Sequence, residues 1–174
     1  EYVELVWSVG RDPESTRGRM RHAGLTPISM HVAYEEVIGE TDKIIRAAGI
    51  FEVRHVVVPW LGAEQCPDNA AWRSAARALD QAGALLRAEG VRLSYHNHAH
   101  EFSLSEGEVI FDLLFVHSDP DHLAIQLDMG WAAIGEVDTA ALLRRYAGRI
   151  ATVHVKDFKR SVGTQPPVVT ELGR

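Results

Sequence analysis

Short apolar segments alternate with longer amphipathic ones along almost the whole chain, and few architectures accept that beat. The strand-like segments are YVELV (Tyr2–Val6), PISMHV (Pro27–Val32), VRHVVVP (Val53–Pro59), RLSYH (Arg92–His96), HLAIQLD (His122–Asp128) and IATVHV (Ile150–Val155). Between them the spacing predicts helices over Asp12–Ala23, Tyr34–Ala48, Asn69–Glu89, Gly107–His117 and Thr139–Ala147. Asp12 reads as an N-cap with Pro13 at the first helical position, and Gly49 and Gly90 read as the stops of the second and third helices. Strand alternating with helix means parallel pairing through crossover connections. The expectation is an α/β chain of six strands and five helices, one domain over residues 1–174 with no linker inside it.

Two architectures share the beat, an open doubly wound sheet and a closed (β/α)8 barrel. The first calls for a glycine-rich phosphate turn after its first strand, and SVGRDPES holds one glycine where G-x-G-x-x-G is needed. The barrel demands that polar side chains gather at the C-terminal ends of several strands, facing inward. Alternate residues of a barrel strand face the helices and the others face the axis. Leu93 and Tyr95 take the outward phase, leaving Ser94, His96 and His98 inward; Ile125 and Leu127 go outward, leaving Gln126 and Asp128. Val153 and Val155 go outward, leaving Thr152, His154 and Lys156, and Ile28 and Met30 leave Ser29 and His31. Four strands thus end on an inward polar residue: His31, His96, Asp128 and His154. Taken alone, each has a plainer role, a packed histidine or an aspartate capping the next helix. Their common phase points instead to one pocket, and histidines and carboxylates drawn from different strands are what a divalent metal needs.

Composition narrows the function classes. The net charge is −6 with no Lys/Arg block, so no nucleic-acid partner is expected. Cys66 is the single cysteine, which rules out an intrachain disulfide framework and fits a reducing, cytoplasmic compartment. No apolar run reaches the roughly 18 residues of a membrane span, and no signal peptide opens the sequence, so no membrane partner is expected.

YHNHAHEF, IQLDMGW and HVKDFK, in this order and spacing, resemble the xylose isomerase-like TIM-barrel superfamily, in its sugar phosphate isomerase/epimerase branch. ISMHV followed by YEEV fits the same branch, and the terminal VVTELGR looks like the approach to a last βα unit. The resemblance implies a (β/α)8 barrel that is expected to be incomplete here, lacking its first strand and last βα unit, so that this polypeptide alone is not expected to be a good catalyst. It further implies one divalent cation (Mn, Mg, Co or Zn), normally held by two Glu, one Asp and one His. By position Asp128 and His154 match the Asp and His ligands, and Glu101 is assigned as the third, with His96 or His98 as substitutes if it points away. The fourth would lie on a strand this sequence lacks.

The implied activity is isomerisation or epimerisation of a sugar, sugar phosphate or keto-polyol through an enediolate, with His96, His98 and Glu101 as the acid/base candidates. His31, Trp131 and Lys156 are the substrate-binding candidates; Asn97 and Asp157 are expected to orient neighbours, His100 to face solvent, and His55 to lie away from the site. A lyase or dehydratase acting on a keto-sugar or keto-inositol would begin with the same proton abstraction. An abasic-site endonuclease would need more ligands and a basic face, and a non-catalytic binding barrel would need no inward polar set. The expected partners are a small-molecule carbohydrate and, in a homo-oligomer, further copies of the chain.

Overall fold

The structure, a computed structural model, describes residues 1–7, 12–159 and 168–170. In chain order the elements are β1 (Tyr2–Val6), α1 (Pro13–His22), β2 (Thr26–His31), α2 (Tyr34–Gly39), α3 (Thr41–Phe51), β3 (His55–Val58), α4 (Asn69–Ala88) and β4 (Arg92–His96). A 3-10 turn (His100–Phe102) and a hairpin of β5 (Leu104–Ser105) and β6 (Glu108–Val109) follow, then α5 (Ile110–Val116) and β7 (Leu123–Asp128). The chain continues through α6 (Met129–Ile134), α7 (Thr139–Arg145), β8 (Ile150–His154), β9 (Asp157–Lys159) and β10 (Val168–Thr170).

Six strands form one parallel sheet in the order β1-β2-β3-β4-β7-β8, the six read from the sequence. The sheet curls until its two outermost strands face each other, for His154 Nε2 on β8 lies 2.6 Å from Glu4 Oε2 on β1. This is an incomplete (β/α)8 barrel. Outward residues Val56, Val58, Leu93, Leu123, Ile125 and Leu127 are buried beneath the helices, each contributing about 1.5–3 kcal/mol by leaving water. The longest cover is α4, whose Trp72, Ala75, Ala76, Leu79, Ala82 and Leu86 recur at helical spacing and are all buried. It sits so close to the chain entering β7 that a Cβ on Gly83 would stand 2.1 Å from the His122 carbonyl oxygen. Side-chain caps start α1 from Asp12, α4 from Asp68 and α7 from Asp138. Among the described residues no helix is long and apolar enough to cross a membrane.

Several local expectations need correction. The helix expected over residues 34–48 is two helices, broken at Glu40 (φ −131°, ψ 33°) where Thr41 Oγ1 donates to the Val37 carbonyl instead of extending the first. The second runs through Gly49 and stops at Glu52, which takes a left-handed φ of 60°. Glu106 and Gly107 (φ 48° and 83°) make the tight turn of the β5–β6 hairpin, so α5 begins only at Ile110. A short helix, α6, follows β7 directly where no helix is expected. Val168–Thr170 pairs antiparallel with β9 rather than joining the main sheet, and residues 171–174 of VVTELGR lie outside those described. The β9 strand brings Phe158 over α6, where a Cβ on Gly130 would stand 2.4 Å from the Phe158 ring.

Candidate metal centre

Five strands supply the polar residues of one pocket: Glu4 from within β1 and, at the strand ends, His31 (β2), His96 (β4), Asp128 (β7) and His154 (β8). Parallel neighbours in register bring the same phase to the same face, as the pairings of Glu4 with Ser29 and of Asp128 with His154 illustrate. Asp128 divides its carboxylate. Oδ1 accepts the Trp131 N–H and caps α6, while Oδ2 turns to the pocket, 3.7 Å from both His96 Nε2 and His154 Nδ1 and 2.6 Å from Lys156 Nζ. Both the capping role and the pocket role read from the sequence are therefore present in one residue. Asn97 fixes its backbone, since Asn97 Nδ2 donates to the Asp128 carbonyl (3.2 Å) and Asn97 Oδ1 accepts the Asp128 N–H (2.9 Å).

The electrostatics follow from burial and charge. Burial alone would raise the Glu4 carboxyl, but hydrogen bonds from His154 and Ser29 and the nearby His31 ring carry it well below the usual carboxylate range. Asp128 is likewise pushed up by burial and held down further by His154, Lys156 and the Trp131 N–H, so it stays ionised. Between these two anions His154 rises to about 9, through Asp128 first and Glu4 second. His96 moves the other way, because burial and the neighbouring His154 disfavour its cation.

Glu101, expected as a third metal ligand and acid/base group, is elsewhere. The 3-10 turn aims its buried carboxylate back at its own strand, where Oε1 accepts from the Tyr95 hydroxyl (2.7 Å) and Oε2 from the His98 N–H (2.8 Å). Tyr95 Oη in turn accepts the Leu61 N–H at 3.1 Å. Burial raises the Glu101 pKa, with His100 and Tyr95 opposing. His100, expected in solvent, donates to the Leu61 carbonyl at 2.8 Å and lies 3.4 Å from Glu101. His98 stands beside His96 (ring centroids 5.1 Å) and in contact with the rings of Trp60 (4.9 Å) and Trp131 (5.2 Å). His31 lies parallel to His154 at 6.0 Å and reaches to 3.4 Å from Glu4. His55 lies off the cluster, its Nε2 2.5 Å from Ser94 Oγ.

Sequence reasoning missed Glu4 and Trp60. Glu4 had a signal, a carboxylate in the inward phase between apolar Val3 and Leu5. Trp60 gave none, since its 47% exposure and its place at the pocket rim depend on the loop after β3.

The donor set suits a divalent cation. His96, Asp128 and His154 offer atoms within 4.8 Å of one another, as do Glu4, His31 and His154. Donors 2.0–2.1 Å from a tetrahedral ion are about 3.3 Å apart, close to the 3.7 Å separations at Asp128 Oδ2. His154 Nδ1 and His31 Nε2 are buried with no hydrogen-bond partner among the described residues. Lys156 supplies the positive charge nearest Asp128 in this structure.

A profile described as xylose isomerase-like TIM barrel matches residues 11–167. In sequence the chain is similar to an inosose dehydratase of Geobacillus kaustophilus (strain HTA426), 35% identical over 91 residues, 52% of this chain and 29% of that protein. The match therefore takes in under a third of the relative's length. In structure it is similar to a sugar phosphate isomerase/epimerase from Parabacteroides distasonis ATCC 8503 (TM-score 0.78, 20% identity, 95% of this chain and 71% of the other). It is also similar to the IOLI protein solved with a bound zinc atom (TM-score 0.67, 12% identity, 92% of this chain and 64% of the other). At these identities the structural likenesses speak for the fold.

Proposed function

Because the chain belongs to the xylose isomerase-like TIM-barrel family, we propose that its strand-end cluster holds a divalent metal and serves proton abstraction beside the carbonyl of a polyhydroxylated ketone, with isomerisation or epimerisation as the outcome. The observation that carries this reading is the meeting of His96, Asp128 and His154 donor atoms from three separate strands within 4.8 Å. Two imidazoles and a carboxylate favour Zn or Co over Mg or Ca; zinc is bound by the IOLI protein of similar fold. A bound divalent ion would supply electrophilic stabilisation of charge on the substrate oxygens.

The chain's own residues do the rest. Asp128 and His154 carry the ligand role, joined by His96 in place of Glu101. His98 accepts or returns the proton; in support, its Nδ1 is buried and without a hydrogen-bond partner among the described residues. Lys156 binds a substrate oxygen and leaves Asp128 to do so. Trp60 and Trp131, both in ring contact with His98, offer apolar walls to the C–H face of a sugar or cyclitol. Glu101 acts on this chemistry only by holding the His98 backbone.

A second outcome, loss of water from a keto-inositol or keto-sugar, is favoured by the likeness to an inosose dehydratase. Both outcomes are tested together. Divalent metal per chain is measured for the protein and for Asp128→Ala and His154→Ala; equal, near-zero content in all three would sink the metal reading. Keto-polyols are then followed by NMR in deuterated water. Deuterium beside the carbonyl of an intact product marks isomerisation or epimerisation, and loss of water marks elimination. No exchange and no product with any keto-polyol would overturn the proposed chemistry.

A further inference from the structure

Gln126 is fully buried and bridges the two halves of the cluster. Its Nε2 donates to Glu4 Oε1 at 2.9 Å, and its Oε1 lies 3.1 Å from His96 Nδ1. The amide cannot be turned round. Glu4 Oε1 also accepts from Ser29 Oγ at 2.6 Å, and Oε2 faces His154 Nε2, so the carboxylate is an acceptor on every side. Only the NH2 end of Gln126 satisfies it, which leaves the amide oxygen facing His96. An amide oxygen can only accept, so His96 Nδ1 must carry a hydrogen. In a neutral imidazole the lone pair then sits on Nε2, the atom 3.7 Å from Asp128 Oδ2.

We propose that Gln126 is a positioning residue that locks His96 in its Nδ1–H tautomer and turns the Nε2 lone pair toward Asp128 and His154. Glu4 does directly for His154 what Gln126 does for His96. It takes the Nε2–H of His154 and leaves Nδ1 facing Asp128 Oδ2 at 3.7 Å. One carboxylate on β1 thereby sets two imidazoles on β4 and β8, one of them through the relay of Gln126. The three pocket-facing donors are then His96 Nε2, His154 Nδ1 and Asp128 Oδ2. The importance of the relay rests on the metal reading of this cluster, while the tautomer itself does not. Histidines that bind metals commonly give their other N–H to such an acceptor, and losing it costs roughly 10–100-fold in affinity.

The test records nitrogen-15 shifts of the imidazoles at neutral pH in histidine-labelled protein stripped of metal by a chelator. His96 is assigned by its absence in His96→Asn. His96 should be the Nδ1–H tautomer in the unmodified protein and should pass to Nε2–H in Gln126→Leu, with zinc bound roughly 10–100-fold more weakly. Ser29→Ala removes a different bond to the same Glu4 oxygen and should leave the tautomer unchanged. An Nε2–H tautomer in the unmodified protein overturns the proposal even if Gln126→Leu fails to fold, and so does retention of Nδ1–H in a folded Gln126→Leu. An Nδ1–H tautomer in a protein that binds no zinc would sink the metal reading and support the relay.

Discussion

Replacing Tyr95 by phenylalanine removes one oxygen atom and strands two buried groups. The hydroxyl donates to Glu101 Oε1 at 2.7 Å and accepts the Leu61 N–H at 3.1 Å, with Tyr95, Glu101 and Leu61 all fully buried. A buried backbone N–H left unpaired costs about 1–3 kcal/mol, and a hydrogen bond to a charged group is worth about 1.5–3 kcal/mol. Some of this returns, because Glu101 keeps the His98 N–H and its raised pKa lets it take up a proton. The expected net loss is about 2–4 kcal/mol, a large share of the ~5–15 kcal/mol by which a domain is stable. Equilibrium unfolding in urea should show the midpoint falling by about 1 M for a slope of about 2–3 kcal/mol per M. Glu101→Gln and the double variant complete a cycle. Residues working through one hydrogen bond should couple by about 0.5–3 kcal/mol, so additivity within about 0.3 kcal/mol would refute the argument. The same variants separate support from ligation: Tyr95→Phe and Glu101→Gln should leave divalent-metal affinity within about 10-fold of the unmodified protein, whereas losing a supporting bond to a ligand costs roughly 10–100-fold and losing the ligand costs more. Abolished metal binding in Glu101→Gln would return Glu101 to the ligand set.

Two further outcomes are expected. His55 is held at about 4 instead of 6.5, chiefly by burial, so the folded form resists a proton that the unfolded chain accepts. Its contribution to stability is therefore present above about pH 6.5 and lost as pH falls toward 4; the stability gap between the unmodified protein and His55→Asn should narrow across that window in urea titrations, and a constant gap would contradict the assignment. Burial, with Asp68 and Glu35, pushes the thiol of the buried Cys66 up to about 11. A thiol reagent at pH 8 should label it only in urea, and labelling of the native protein at the rate of free cysteine would refute this.

The six strands were legible because each is a run of alternating or continuous apolar residues, and one parallel register then carried the inward phase from strand to strand. That phase put His31, His96, Asp128 and His154 on one face, where the structure brings their side chains together with His154 common to two donor groups. Features decided by a single local dihedral were not legible. The break at Glu40 and the left-handed Glu52 leave no mark on hydrophobic spacing, and α6 is too short to show a period. Glu101 depended on one 3-10 turn, which decides whether its carboxylate joins Asp128 or Tyr95. Glu4 carried the inward phase but not its partners, which lie as far as 150 positions away.

That separation has a consequence in time. Each of the five strands after β1 pairs with the strand before it in the sheet's own chain order, so the sheet can zip up as the polypeptide emerges, N-terminal units first. The pocket cannot. Glu4 must wait 122 residues for Gln126 and 150 for His154. Closing a free loop of that length costs about 1.4 kcal/mol more than closing one of about 30 residues, and the zipped sheet spares it by holding the ends on one curled surface. Scaffold comes first and polar cluster last, so the bond between Glu4 and His154 is a molecular signature that the curl is complete.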